Sequence, residues 1–178
     1  ISLCTSHIYT AGSEEQKQRY LPKLASSEWI GSWALTEPES GSDAGGTHTK
    51  AVLENGEWVI NGLKTFTTNA HAADVFVVMA MTDREKASHG ISAIIVEKGT
   101  PGFRVGKKEN KLGMRCSPTG ELILTDCRVP ASQMAGERGE GFIDSLKILD
   151  GGRISIAALG VGIAQGAYEA ALKYSKQR

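Results

Sequence analysis

Thr36, Ser40 and Ser42 place three hydroxyls within seven residues, beside Glu37, Glu39 and Asp43 and among Gly41, Gly45 and Gly46. Hydroxyls both donate and accept hydrogen bonds, and glycines let a backbone approach a ligand closely or take positive φ. Trp33, Ala34 and Leu35 immediately before them are apolar. An abrupt passage from an apolar strand to such a loop is how a rigid scaffold presents binding groups. The same composition also makes an ordinary polar turn, and pattern alone leaves both readings open. A second segment, Gly62-Leu63-Lys64-Thr65-Phe66-Thr67-Thr68-Asn69, combines an aromatic ring with three threonines. It reads equally as a strand ending in a Thr-rich turn. A third, Lys111-Leu112-Gly113-Met114-Arg115-Cys116-Ser117-Pro118-Thr119, is a basic stretch that also reads as an exposed hairpin turn. The fourth is Leu149-Asp150-Gly151-Gly152-Arg153, where Asp150 is either a helix N-cap or a binding residue, two compatible roles.

These groups need elements to hold them. Ser13-Glu14-Glu15-Gln16 has the form of a capping box with acidic residues in the first turn. It predicts a helix to about Ser26, kinked or split by Pro22. From Trp29 the hydrophobic period becomes two. Strands are predicted over Trp29–Leu35, Thr49–Leu53, Trp58–Leu63, Val75–Met81, Ile91–Val96, Phe103–Lys107 and Glu121–Val129, separated by Gly-, Asn- and Pro-bearing turns. Short strands at this spacing make a sandwich or barrel. Beyond Val129-Pro130, a Gly-rich connection leads to a short amphipathic helix, Phe142–Leu149, and then a long one, Arg153–Gln177. The long helix is apolar over much of its surface and wants partners on several sides. The predicted elements supply too few, so the chain reads as a fragment or an obligate oligomer.

The chain of 178 residues is 40% hydrophobic and 22% charged, with 20 basic and 20 acidic residues. That is an ordinary globular composition, without the basic stripe of a nucleic-acid binder. No apolar run approaches the roughly 18 residues of a membrane span. Cys4, Cys116 and Cys127 are odd in number and lack CxxC spacing, which reads as reduced thiols. His7, His48, His71 and His89 are scattered, without the spacing of a helical metal site.

The segment Ala34 through Gly46 resembles the first signature of the acyl-CoA dehydrogenases, and the other three segments follow in that family's order. The resemblance covers essentially the whole chain. It implies an α+β fold: the end of an N-terminal helical domain at 1–28, a middle β-barrel or sandwich at 29–131, and a linker with the first helices of a C-terminal domain at 132–178. It implies FAD as cofactor, bound by Trp33, Leu35, Thr36, Gly41, Ser42, Phe66, Thr67 and Thr68. Phe66 would pack on the isoalloxazine, where the family commonly has Trp, and Thr68 would hydrogen-bond its N5. An apolar wall and a few fixed hydrogen bonds are what tuning a flavin requires, and no GxGxxG follows a strand, so a Rossmann mode is not indicated. Ser42, Asp150 and Arg153 would meet the acyl-CoA, and Arg178 the FAD phosphate of a neighbouring subunit.

The implied reaction is α,β-dehydrogenation of an acyl-CoA thioester, with electrons passing to an electron-transfer flavoprotein. Some members carry the catalytic Glu where this chain has Gly152, so the base is expected downstream of Arg178 and this chain alone is expected to be inactive. The resemblance leans toward the short-chain, butyryl type. It also implies a homotetramer or homodimer in a bacterial cytoplasm or a mitochondrial matrix. An acyl-CoA oxidase-type relative and a non-catalytic β-barrel binding module are the alternatives.

Overall fold

A computed structural model describes residues 1–178. Helix α1 (Ser2–Ala11) buries Cys4, His7 and Ile8, the i, i+3, i+4 face. Helix α2 (Glu14–Ala25) opens with the predicted capping box: Ser13 Oγ accepts from the Gln16 N–H at 3.2 Å, and Gln16 Oε1 accepts from the Ser13 N–H at 3.0 Å. It is one continuous helix rather than two pieces, with Pro22 inside it. Pro22 removes the N–H that would bond the Gln18 carbonyl, a local cost of about 3 kcal/mol. Tertiary anchors outweigh it: the Tyr20 hydroxyl bonds Glu97 at 2.7 Å, and Gln16 Nε2 donates to the carbonyls of Ser132 and Met134 at 2.7 and 2.9 Å.

Eight strands follow: β1 (Gly31–Ala34), β2 (Lys50–Glu54), β3 (Glu57–Thr68), β4 (Val75–Met81), β5 (Ile91–Glu97), β6 (Phe103–Lys108), β7 (Thr119–Pro130) and β8 (Met134–Ala135). They pair in the order β6-β7-β3-β2-β4-β5-β8, with β1 added parallel to β4. The path does not close on itself, so of the two expected forms the sandwich describes it better. β4 is buried on both faces, which splits its alternating side chains between two cores. Phe76, Val78 and Ala80 join Trp58, Ile60, Ile94, Leu122 and Leu124 between the halves of the folded sheet. Val75, Val77, Met79 and Met81 face the other way, onto Cys4, Ile8, Tyr20 and Leu24 of the two helices. β1 likewise stands between the two layers, with Ala34 in one and Trp33 packed against the other.

Helix α3 (Gly141–Ser175) is a single element of 35 residues. It replaces the two helices expected, and it runs straight through Asp150-Gly151-Gly152-Arg153. Two glycines cost a helix about 1 kcal/mol each but do not end one. Gly152 also has a packing reason, since an added Cβ would stand 3.1 Å from Leu3 Cδ2 of α1. Asp150 is therefore a mid-helix residue and not an N-cap. No helix is long and apolar enough to cross a membrane.

Candidate functional site

The loop after β1 is organised around one carboxylate. Glu37, 4% exposed, accepts the backbone N–H groups of His48 at 2.6 Å and Thr49 at 3.0 Å, and the Lys64 ammonium at 2.7 Å. Lys64, in β3 and fully buried, also donates to the Leu35 carbonyl at 3.0 Å. Burial alone would raise the Glu37 carboxyl, but the Lys64 ammonium and the N–H donors outweigh it and hold it below the usual carboxylate range. Burial pushes Lys64 down to about 8 against the pull of Glu37, so the pair is charged at neutral pH. Farther along, Ser40 exchanges backbone bonds with Glu37, and its hydroxyl donates to the Asp43 carbonyl at 2.6 Å. One of the three hydroxyls, that of Ser40, is thus spent on the loop itself. Glu37 thus organises the loop, and Gly41 and Ser42 stand exposed at the tip.

Gly62 lets β3 pass this close. A Cβ there would meet Thr49 Oγ1 at 2.3 Å and Thr49 Cα at 2.7 Å. Gly62→Ala is expected to cost about 1–2 kcal/mol by overpacking, read as a lowered urea midpoint at unchanged m-value; an unaltered midpoint would contradict this packing.

β3 does not stop at Leu63 as expected but runs to Thr68, with a register shift between Lys64 and Thr67. The bulge sits where the Thr36 carbonyl accepts the Thr65 N–H at 2.9 Å, tying the loop to the strand. Within it Phe66 has φ +52° and is 65% exposed. A bulky residue in the left-handed region is strained, and such strain clusters at ligand sites. Thr65 Oγ1 is buried without a hydrogen-bond partner.

Trp33, Thr68 and Arg153 meet at a cavity of about 640 Å³, lined mainly by apolar and small side chains of α1, β1 and α3, among them Leu3, Cys4 and Ile156. No carboxylate lines it. Leu35 packs beside Trp33 in the core under the helices, and Thr36 adjoins the β3 bulge; Thr67 is buried within that bulge. Other residues singled out from the sequence lie apart from the cavity. Asp150 is exposed and pairs loosely with Arg153 at 3.9 Å. Arg178 lies past the far end of α3, donating to the Tyr174 hydroxyl at 3.2 Å.

Sequence reasoning missed Lys64, His7 and Ser32. Ser32 lines the cavity and donates from Oγ to the Thr68 carbonyl at 2.7 Å. Lys64 was traceable as a charge inside an otherwise apolar alternation, whereas His7 carried no signal in its helix.

Sheet, loop and cavity form one scaffold, with α1, β1 and α3 walling the cavity. Residues 32–127 match the family model "Acyl-CoA dehydrogenase, middle domain" and residues 1–28 the model of the N-terminal domain. The chain belongs to the acyl-CoA dehydrogenase family. It is 54% identical over 177 residues to the short-chain-specific acyl-CoA dehydrogenase of Clostridium acetobutylicum, covering 99% of this chain and 47% of that protein. It superposes on butyryl-CoA dehydrogenase of Megasphaera elsdenii with TM-score 0.97 and 48% identity, over 99% of this chain and 46% of that one. A chain from a structure described as the electron transferring flavoprotein of Acidaminococcus fermentans aligns with TM-score 0.98 and 52% identity, over 100% of this chain and 47% of its own length. The chain thus spans about half the length of the curated relatives it matches.

Proposed function

We propose that the full-length protein containing this chain is an FAD-dependent acyl-CoA dehydrogenase for short acyl-CoA thioesters. It would act as a homo-oligomer and deliver electrons to an electron-transferring flavoprotein. The observation that carries this reading is the convergence of Trp33, Thr68 and Arg153 on one cavity, in a chain so similar to short-chain dehydrogenases.

The residues present fit a flavin. An exposed ring at a strained backbone position, Phe66, offers a face to a planar partner. Trp33 and Leu35 supply apolar wall, and Thr36, Thr67 and Thr68 supply hydroxyl and amide groups at its edge. Gly41 and Ser42 at the loop tip are free to meet a pyrophosphate. FAD bound there would supply the acceptor for a hydride leaving the substrate's β-carbon. Ser42, Asp150 and Arg153 would hold the CoA thioester, and Arg178 would reach the FAD phosphate of a neighbouring subunit. As the family resemblance implies, the base that removes the α-proton would lie in the protein beyond Arg178. The domain limits 1–28, 29–131 and 132–178 then separate helical, flavin-binding and helical parts.

Anaerobic titration of the purified full-length protein with butyryl-CoA tests the reading. The visible flavin band is expected to bleach as the enoyl-CoA product appears. Protein that carries no flavin, or a flavin band that butyryl-CoA leaves untouched, would sink it. A variant adds a second line. Phe66→Gly is expected to weaken flavin binding about tenfold through loss of the stacked ring. The same change relieves backbone strain and so stabilises the apoprotein by about 1 kcal/mol after the entropy of glycine is deducted. Flavin titration and thermal unfolding of the apoprotein check the two opposed effects, and a loss in both would contradict the strain argument.

A further inference from the structure

His7 lies in α1, fully buried, and lines no part of the cavity. Its Nδ1 accepts a hydrogen bond from the indole Nε1–H of Trp33 at 3.1 Å. That bond fixes the ring's proton inventory: Nδ1 is the acceptor, so the neutral ring carries its hydrogen on Nε2. Nε2 is buried and has no hydrogen-bond partner. The charge acting on the ring is the carboxylate of Asp144 in α3, itself paired with Lys147 at 3.0 Å. A buried histidine with one nitrogen idle and the other on a single indole is poorly explained by packing alone. Trp33 is the one aromatic side chain on the cavity wall.

We propose that His7 is a positioning residue for this cavity, fixing the plane and depth of the Trp33 indole and through it the wall that a bound flavin meets. The inference rests on the flavin reading above. A tryptophan held only by van der Waals contact has two soft side-chain torsions. A hydrogen bond from its one polar atom to a group on a helix removes that freedom. His7 cannot act as acid or base on a ligand here, because Nδ1 is occupied by Trp33 and Nε2 is enclosed by protein. Its contribution therefore passes entirely through the indole, so effects of changing His7 must vanish once Trp33 is changed.

The test uses the full-length protein and four variants: His7→Leu, His7→Asn, Trp33→Phe, and His7→Leu combined with Trp33→Phe. Asn retains an acceptor, Oδ1, close to the position of Nδ1; Leu keeps apolar volume without it. Circular dichroism first establishes that each variant is folded. In apoprotein labelled with fluorotryptophan, the Trp33 fluorine resonance, assigned by its loss in Trp33→Phe, is expected to shift and broaden in His7→Leu and to return in His7→Asn. With FAD bound, His7→Leu is expected to move the visible flavin band and weaken flavin affinity roughly tenfold, the size of effect one lost hydrogen bond carries. His7→Asn recovers most of that loss, and His7→Leu changes neither readout further in the Trp33→Phe background. A Trp33 resonance indifferent to His7→Leu in a protein that binds flavin overturns the His7 inference alone. So does a flavin shift that persists without Trp33. A parent protein that binds no flavin overturns the flavin reading, and the role assigned to His7 falls with it.

Discussion

Replacing Lys64 by methionine is expected to cost the fold about 3–5 kcal/mol, the penalty for leaving one charge of a buried pair without its partner. Lys64 is wholly buried and Glu37 is 4% exposed, so neither solvent nor salt can screen the loss as it would at a surface pair. The methionine fills the volume but leaves the Glu37 carboxylate with two backbone N–H donors and no counter-charge. The Leu35 carbonyl loses its donor as well. Neutralising the other partner, as in Lys64→Met with Glu37→Gln, is expected to recover part of the loss, because an amide is cheaper to bury than a carboxylate. Urea unfolding of parent, single and double variants measures this directly. A single variant within about 1 kcal/mol of the parent would show that water reaches the pair. The local effect should be visible too, as faster proteolysis in the loop between Leu35 and Thr49.

Acid should remove stability through His7. Burial pushes its imidazole from 6.5 down to about 4, and the opposing pull of Asp144 is too weak to restore it. The folded state thus prefers the neutral ring, and between those pH values the unfolded chain binds the extra proton. The stability from keeping His7 neutral is complete above pH 6.5 and is lost as pH falls toward 4, up to about 3 kcal/mol. Carboxylates titrate in the same range, so the useful quantity is the difference between parent and His7→Leu. The stability curve of the variant is expected to be flatter from neutrality down to pH 4.5, and parallel curves would exclude the imidazole as the source.

The seven longer strands were legible because buried faces impose a period of two. Val75 to Met81 lay entirely within a predicted strand, and its division between two cores follows from that alternation. The end of β3 was not legible. The threonines after Lys64 read as a turn although Thr and Phe favour strands, and a bulge absorbs the register shift beside the loop. The two-residue strand β8 is held by Gln16 from a distant helix and has no local signature. Propensity misled at Pro22 and at Gly151-Gly152 for one reason: long-range packing overrode a local cost of a few kcal/mol. For the candidate site, the loop and the aromatic strand were visible as composition. The groups holding them in place, Lys64 and His7, act through contacts that spacing along the chain does not encode.

Helix α3 buries only Gly141, Asp144, Ser145 and Ile148, all in its first turns. Everything from Arg153 onward stands in solvent, glycines 160, 162 and 166 included. Without packing partners in this chain, that segment rests on helix propensity, which its three glycines weaken by about 1 kcal/mol each. Arg153, Ser155, Ile156 and Ala157 belong both to this segment and to the cavity wall. Wall and segment are thereby coupled, and whatever clamps the far half of the helix firms the cavity without touching the ligand. Amide exchange should show it as a step in protection along α3, from slow before Ile148 to fast beyond Arg153.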